Sequence, residues 1–365
     1  MTPDIDRHYM AHALGLARRG LGQVWPNPAV GCVIAGGGRI IGRGWTQAGG
    51  RPHAETVALA QAGTAARGAT AYVTLEPCAH HGHTPPCAEA LIDAGISRVV
   101  AAFQDPDARV AGRGLAILEA AGIEVTKGVM RTEAEALQKG FLSRIRLGRP
   151  MVTLKLAISL DGRIATSSGE SQWITGPQAR ARVHAMRALH DAVMIGGGTA
   201  RADNPTLTVR GLGIAHQPLR IVATRALDLP ADGQLAGTAT NTPLWLMHGP
   251  SAPPATIRQW EDIGARLFCC EETAKGLDPS VMLAMLGQAG LTRIFCEGGG
   301  QLGAALLSAG MVDELALFTG GVMLGGDARP CIAALGLDRL ADAPGFALQR
   351  TETLGPDTLS LWRRS

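Results

Sequence analysis

Aromatic side chains are scarce in this chain of 365 residues, making up only 4% of it, and the formal net charge is +3. Few aromatics leave few platforms on which single-stranded bases could stack. A small net charge without a basic arm also leaves no electrostatic footprint for a nucleic-acid backbone. The densest basic cluster, SRIRLGRP at 143–150, reads as the edge of a linker. No apolar run is long enough to cross a bilayer. The opening MTPDIDRHYMAHALGLARRG carries Asp4, Asp6, Arg7, Arg18 and Arg19, and so lacks the unbroken apolar stretch of a secretory signal. The expectation is a cytoplasmic protein whose partner is a small, anionic molecule rather than nucleic acid or a membrane.

Cysteine is sparse as well, at seven residues. Cys32, Cys269, Cys270, Cys296 and Cys331 fall in apolar runs such as GCVIA and RIFCE, and are expected to be buried small hydrophobes. Cys78 and Cys87 differ, because each follows a proline in the polar stretch EPCAHHGHTPPC at 76–87. In a reducing compartment such a pair more often binds metal or does chemistry than forms a disulfide.

The length calls for two domains. Along the first half, strand-like runs (AVGCVIA, RIIGRGW, ATAYVTLEP, SRVVAAF, IEVTKGV) alternate with helix-like ones (residues 5–19, HAETVALAQAG, CAEALIDAG, RGLAILEAAG). That alternation predicts a three-layer α/β sheet with reactive residues where strands run into helices. His53 and Glu55 open one predicted helix, Cys78 follows a strand and Cys87 opens the next helix. One imidazole and two thiolates suit a zinc ion with its fourth tetrahedral position left to water, which the metal acidifies. Glu55, near the metal without binding it, would carry the water's proton to a ring nitrogen and then to a departing amine. The order H-x-E and then P-C…C is the pattern of zinc nucleobase deaminases, although eight residues separate these cysteines where the simple motif has two. His80, His81 and His83 are read as solvated loop residues or, alternatively, as further ligands of a closed structural site.

The segments PNPAVGCVI (26–34), HAE (53–55), EPCAHHGHTPPC (76–87) and DPDARVAGRG (105–114) together resemble the deaminase half of the bifunctional riboflavin-biosynthesis deaminase/reductase family. The resemblance implies a cytidine-deaminase-like domain over 1–147, with zinc held by His53, Cys78 and Cys87 and proton transfer by Glu55. It further implies substrate contacts from Asn27 and the 80–84 loop. That loop departs from the family at His83, where Arg or Lys usually precedes TPPC.

In the second half, MVTLKLAISLDG, DAVMI, LRIVAT, PLWLM and LTRIFC read as strands, SGESQWITGPQARARVHAMRALH as a turn feeding a helix, and GGGTARADNPTLTVR as glycines and a polar loop. Gly298, Gly300 and Gly303 satisfy G-x-G-x-x-G between a strand and a helix, a context in which bare backbone can approach a pyrophosphate. No acidic ribose partner stands out about 20 residues on, because Asp313 and Glu314 come early and start a strand, so the half reads as a dinucleotide site other than the standard one, with a cofactor bearing a 2′-phosphate left open. LKLAISLDGRIA, SGESQWIT, GGGTARADNPTLTVR and EGGGQLGAAL are similar to the family's reductase half, which implies a dihydrofolate-reductase-like α/β domain over 148–365 that uses NADPH. By position, Ala157, Trp173, Thr199, Asp203 and Gly299, Gly300, Gln301, Leu302, Gly303, Ala304 and Ala305 would contact the cofactor. Lys155, Ser171, Arg187, Leu207, Arg210 and Glu297 would line the sugar-phosphate site. Arg225 stands where the family usually has a small polar residue. Two arginines suit a phosphate, while Lys155 and Glu297 suit ribose oxygens and the protons moved as C1′ is reduced.

The implied function is hydrolytic deamination of 2,5-diamino-6-ribosylamino-4(3H)-pyrimidinone 5′-phosphate, followed by NADPH reduction of the ribosyl to a ribityl group, by a cytoplasmic homo-oligomer. Rival readings are a deaminase of free nucleobases or tRNA with an inert second domain, and a zinc-stabilised nucleotide sensor without turnover.

Overall fold

A computed structural model describes residues 3–81, 85–107, 111–274 and 276–365. The chain divides into two compact units, Met1–Gly148 and Arg149–Ser365.

The first unit is built on five strands: β1 (Gly31–Gly36), β2 (Arg39–Trp45), β3 (Thr70–Val73), β4 (Arg98–Ala101) and β5 (Glu124–Lys127), in the order β2-β1-β3-β4-β5. β1 runs antiparallel to β2 and β3, whereas β3, β4 and β5 are parallel. The residues of β1 and β3 are almost wholly buried, as expected of strands covered on both faces. Glycines set how closely the helices approach. A Cβ at Gly31 would lie 1.9 Å from the Ala13 carbonyl oxygen of α1 (Pro3–Ala17), and one at Gly44 would lie 2.0 Å from the Ala54 carbonyl oxygen of α2 (Ala54–Ala62). Gly31 pairs with Trp45 and Cys32 with Gly44. Because successive strand residues point to opposite faces, α1 and α2 cover opposite sides of the sheet. α3 (Cys87–Asp93), α4 (Arg113–Ala120), α5 (Arg131–Leu137) and α6 (Lys139–Leu147) complete three layers. Asp6 of α1 accepts both terminal nitrogens of Arg98 at 2.8 Å and the Tyr72 hydroxyl at 2.9 Å, tying that helix to β3 and β4.

The second unit is a nine-stranded sheet. Its members are β6 (Met151–Ile158), β8 (Ala192–Gly196), β9 (Leu219–Ala223), β10 (Leu244–His248), β11 (Arg266–Cys269), β14 (Arg293–Cys296), β15 (Glu314–Thr319), β17 (Phe346–Leu354) and β18 (Asp357–Arg364). The order is β11-β10-β9-β8-β14-β6-β15-β18-β17, parallel up to β15 and antiparallel through the last hairpin. Two short ribbons join β7 (Arg163–Ala165) to β16 (Arg329–Pro330) and β12 (Glu272–Thr273) to β13 (Gly276–Leu277). The helices are α7 (Pro177–Arg187), α8 (Gly197–Asp203), α9 (Gln234–Gly237), α10 (Pro254–Asp262), α11 (Pro279–Gln288) and α12 (Gly300–Ser308). Among the described residues no helix is long and apolar enough to cross a membrane.

Two expectations are corrected. GGTARAD, read as glycines and polar loop, forms α8, because the two glycines occupy only the first turn and Thr199–Asp203 continue the helix. Cys269 is exposed rather than buried, since β11 is the sheet's edge strand, and Cys331 is only half-buried.

Candidate active sites

In the first unit, β3 and the starts of α2 and α3 converge on three side chains. His53 is the N-cap of α2 in extended backbone, which turns its ring out of the helix. Cys87 is the first residue of α3, and its backbone N–H donates to Cys78 Sγ at 3.3 Å. His53 Nδ1 lies 3.3 Å from Cys87 Sγ and 3.6 Å from Cys78 Sγ, and all three donor atoms fall within 4.8 Å of one another. Ligands of a tetrahedral zinc with bonds near 2.0–2.3 Å stand roughly 3.6–3.8 Å apart, so the trio fits that ion. Charge agrees with geometry. Hydrogen bonding from Cys87, then from His53, draws the Cys78 thiol down to about 4, while the contact with Cys78 and burial push Cys87 up. Two thiols this close oppose each other's ionisation, and a divalent ion bound between them would favour the thiolate form of both.

Glu55, in the first turn of α2, is 3% exposed. Burial first, then the negative Cys78, raise its carboxyl to about 7, the poise of a group that both takes and gives a proton near neutrality. Asn27 lies against Gly50, whose φ of +85° and missing Cβ make room for it: a Cβ there would be 1.8 Å from Asn27 Nδ2. Asn27 therefore faces the segment that leads into His53. His81 pairs with Glu89 at 3.1 Å on the surface. His83 lies outside the described residues.

Glu76 is a residue that the motif reading passed over. Its buried carboxylate accepts the backbone N–H groups of Asp105 (3.1 Å), Gly112 (2.9 Å), Gly114 (2.9 Å) and Leu115 (3.4 Å). It thus fastens the start of α4 beside the Cys78 turn, and a Cβ at Gly114 would meet the Pro77 carbonyl oxygen at 1.9 Å. An acidic residue next to a metal motif is the signal in the sequence, since these backbone donors, among the described residues, lie about 30–40 positions away.

In the second unit, β8, β14 and β6 are adjacent and parallel, so their carboxyl ends share one edge. β8 runs into α8 with Thr199 and Asp203, β14 runs through Glu297 into the glycines that open α12, and β6 carries Lys155 and Ala157. Thr199 Oγ1 would lie 3.3 Å from a Cβ at Gly299, so bare backbone faces that hydroxyl. Such a crevice, with a nine-residue helix starting from it, fits the phosphates of a dinucleotide. Gly303 and Ala304 are buried, and so turn toward the core. Gln301 is exposed. Trp173 is 67% exposed, which rules out a core role, and the Arg180 guanidinium covers one face of its ring at 4.6 Å. Ile174 on the same segment touches Gly320, just beyond β15, which places Ser171 and Trp173 near the same edge.

Arg187 grips Glu297 through two nitrogens, Nε to Oε1 and Nη2 to Oε2, and donates from Nη1 to the Thr208 carbonyl at 2.8 Å. Lys155 Nζ stands 3.7 Å from Glu297 Oε2. Burial pushes Glu297 up, but Arg187 and Lys155 outweigh it and hold the carboxyl below its usual value. Arg187 thus has a carboxylate partner already and offers a ligand only the N–H groups left over. Asp203 is raised by burial and drawn back by Lys155, which places those two within electrostatic reach. The Leu207 side chain is in the core, with φ of +57°, which leaves its main chain for a ligand. Arg210 and Arg225 are exposed.

A family model described as the RibD C-terminal domain matches residues 150–360, and one described as the cytidine and deoxycytidylate deaminase zinc-binding region matches residues 3–103. The riboflavin biosynthesis protein RibD of Escherichia coli strain K12 is 46% identical, covering 96% of this chain and 97% of its own length. That of Haemophilus influenzae is 42% identical, covering 96% and 95%. Among solved structures, form 2 of Acinetobacter baumannii RibD superposes with a TM-score of 0.89 at 38% identity, covering 100% of this chain and 99% of that one. A diaminohydroxyphosphoribosylaminopyrimidine deaminase/5-amino-6-(5-phosphoribosylamino)uracil reductase from Thermotoga maritima gives 0.87 at 31%, covering 100% and 99%.

Proposed function

The chain belongs to the RibD family of bifunctional riboflavin-biosynthesis enzymes, and from that premise we propose which of its residues carry the two reactions. The enzyme is a zinc deaminase and an NADPH reductase, a hydrolase and an oxidoreductase in one chain. The first reaction replaces the exocyclic amine of 2,5-diamino-6-ribosylamino-4(3H)-pyrimidinone 5′-phosphate with oxygen from water and releases ammonia. The second reduces the ribosyl group of 5-amino-6-(5-phosphoribosylamino)uracil to ribityl.

In the deaminase unit, His53, Cys78 and Cys87 hold the zinc, which when bound supplies an acidified water. The Glu55 carboxylate would accept a proton from the attacking water and pass it to the ring nitrogen, then take up the proton of the hydroxyl added to the ring carbon and deliver it to the amine, which leaves as ammonia when the carbon–nitrogen bond breaks. Its raised carboxyl suits both directions of transfer. Asn27 and His83 bind the substrate.

In the reductase unit, NADPH supplies a hydride to C1′. Ala157, Thr199, Asp203, Trp173 and the start of α12 from Gly299 to Ala305, with Gly303 and Ala304 packed toward the core behind it, hold the cofactor. The free face of Trp173, opposite Arg180, offers a stacking surface. Glu297 is kept anionic between Arg187 and Lys155, so it would accept from ribose hydroxyls, while Lys155 would hold the proton that the ring oxygen takes as its bond to C1′ opens. Arg210, Ser171, the Leu207 main chain and the remaining donors of Arg187 take the phosphate. All seven cysteines are free, which supports a cytoplasmic setting where the metal-binding pair stays reduced.

The observation that carries this reading is the cluster of His53, Cys78 and Cys87, whose donor atoms lie within 4.8 Å of one another, with the buried Glu55 carboxyl beside it. The test is a zinc assay on purified protein alongside ammonia release and loss of the nicotinamide absorbance, with the phosphorylated diaminopyrimidine as substrate. Stoichiometric zinc with both signals supports it. Zinc without ammonia release from this substrate overturns the deaminase assignment, and ammonia without nicotinamide oxidation overturns the reductase one.

A further inference from the structure

Residues 204–210 of the reductase unit belong to no strand or helix, yet Arg210 sits at their end and has to be aimed. Side chains do the holding. Gln217 accepts from the Val209 N–H at 2.7 Å and donates to the Val209 carbonyl at 3.2 Å. The opposite clamp comes from α7, where His184 stands one turn before Arg187 on the same side of the helix. His184 Nδ1 lies 3.1 Å from the Thr208 carbonyl oxygen and 3.3 Å from the Arg210 backbone nitrogen. The Thr208 carbonyl also accepts from Arg187.

We propose that His184 is a positioning residue of the reductase site, whose Nδ1 fixes the main chain of residues 208–210 and thereby sets the Arg210 guanidinium for the substrate's phosphate. This rests on the assignment of Arg210 to the phosphate.

The ring nitrogen stands between an acceptor and a donor. With its proton on Nδ1 the imidazole donates to Thr208, and with the proton on Nε2 it accepts from the Arg210 N–H. The doubly protonated ring keeps only the first option and adds a third cation beside Arg187 and Arg210. The groups that face it are Arg187 on its own helix, Arg210 on the clamped segment, and Glu297 after β14. Burial first, then the two arginines, lower its pKa against the weaker pull of the Thr208 carbonyl and Glu297, which favours the neutral ring and keeps both contacts open to it. A histidine that merely tied a loop to a helix would act on folding, whereas this one acts on phosphate recognition and only through Arg210.

That dependence is measurable in a double-mutant cycle on the full-length enzyme, read from steady-state NADPH oxidation with the deaminated ribosylaminouracil phosphate. His184→Ala and Arg210→Ala should each raise the KM for that substrate, His184→Ala by roughly 3- to 10-fold, the worth of one hydrogen bond. The KM for NADPH and kcat should stay within about twofold for both. The double variant should bind no worse than Arg210→Ala alone, and His184→Gln, whose amide also donates and accepts, should recover most of the loss. Should His184→Ala fail to fold, His184→Gln set against His184→Leu gives the same comparison. Additive effects, an effect on kcat or NADPH instead, or no change in KM overturn the inference. If Arg210→Ala itself leaves KM unaltered, the phosphate assignment falls, a different failure from that of His184.

Discussion

Placing a methyl group on Gly50 perturbs the deaminase pocket without touching a metal ligand. The backbone there has φ of +85°, and an L residue in the left-handed region costs about 1–2 kcal/mol. The new Cβ would sit 1.8 Å from Asn27 Nδ2, and ordinary contact begins near 3.4 Å, so the amide has to swing away. The flanking backbone is pinned and yields less readily: Gly49 donates to the Gln23 carbonyl at 2.9 Å and Gly50 to that of Gln47 at 2.8 Å. In Gly50→Ala the melting temperature of the first unit should fall by about 2–8 °C, the reach of that strain in a domain of this size. Losing one substrate hydrogen bond from Asn27 should raise the KM for the diaminopyrimidine roughly 3- to 10-fold. Zinc content should stay stoichiometric and NADPH oxidation with the deaminated substrate should not change. The assay is ammonia release against substrate concentration, with Asn27→Ala as the reference. If Asn27→Ala raises KM and Gly50→Ala does not, the amide does not work from its place against Gly50. If neither does, Asn27 is not a substrate contact.

Cys87→Ala should abolish deamination and zinc binding yet leave reduction of the deaminated compound intact, because each unit has its own compact core; loss of both activities in a folded variant would contradict separate sites. Asp6→Asn should lower the stability of the first unit by about 1–3 kcal/mol, since it weakens two charge-assisted bonds and one from Tyr72. The Arg98 hydrogen bonds hold the Asp6 carboxyl below its usual value in spite of burial. Its contribution is therefore complete above about pH 4 and fades as pH falls through the lowered folded value, so urea midpoints of parent and variant should converge in acid and differ fully at pH 7. Glu76→Ala strands four backbone donors and should cost at least about 2 kcal/mol while slowing deamination far more than reduction; equal loss of both would deny it a local role.

The residues that the metal motif names are together because motif and topology coincide. Cys78 follows β3, while His53 and Cys87 stand at helix starts, so order along the chain already implied convergence at one end of a sheet. Strand alternation was equally readable, since β1, β3, β8 and β10 are near-continuous apolar runs. Long-range partnership was not readable. Nothing near Arg187 in the sequence announces that Glu297, 110 residues on, takes two of its nitrogens, nor that Glu76 collects donors from residues 105–115. Cys269 looked buried because its run is apolar, and only the strand order shows that β11 is an edge. The helix of Gly197–Asp203 was hidden by glycines that weaken propensity but sit in its first turn.

The central claim is that Glu55 moves protons beside a zinc that it does not bind. It is tested most directly by measuring zinc content and ammonia release together in Glu55→Gln and Cys78→Ser. Glu55→Gln should keep stoichiometric zinc while its rate falls about 10²- to 10⁴-fold, and Cys78→Ser should lose metal and activity at once. Zinc lost from Glu55→Gln would make that carboxylate a ligand, and an undiminished rate would take it out of the reaction.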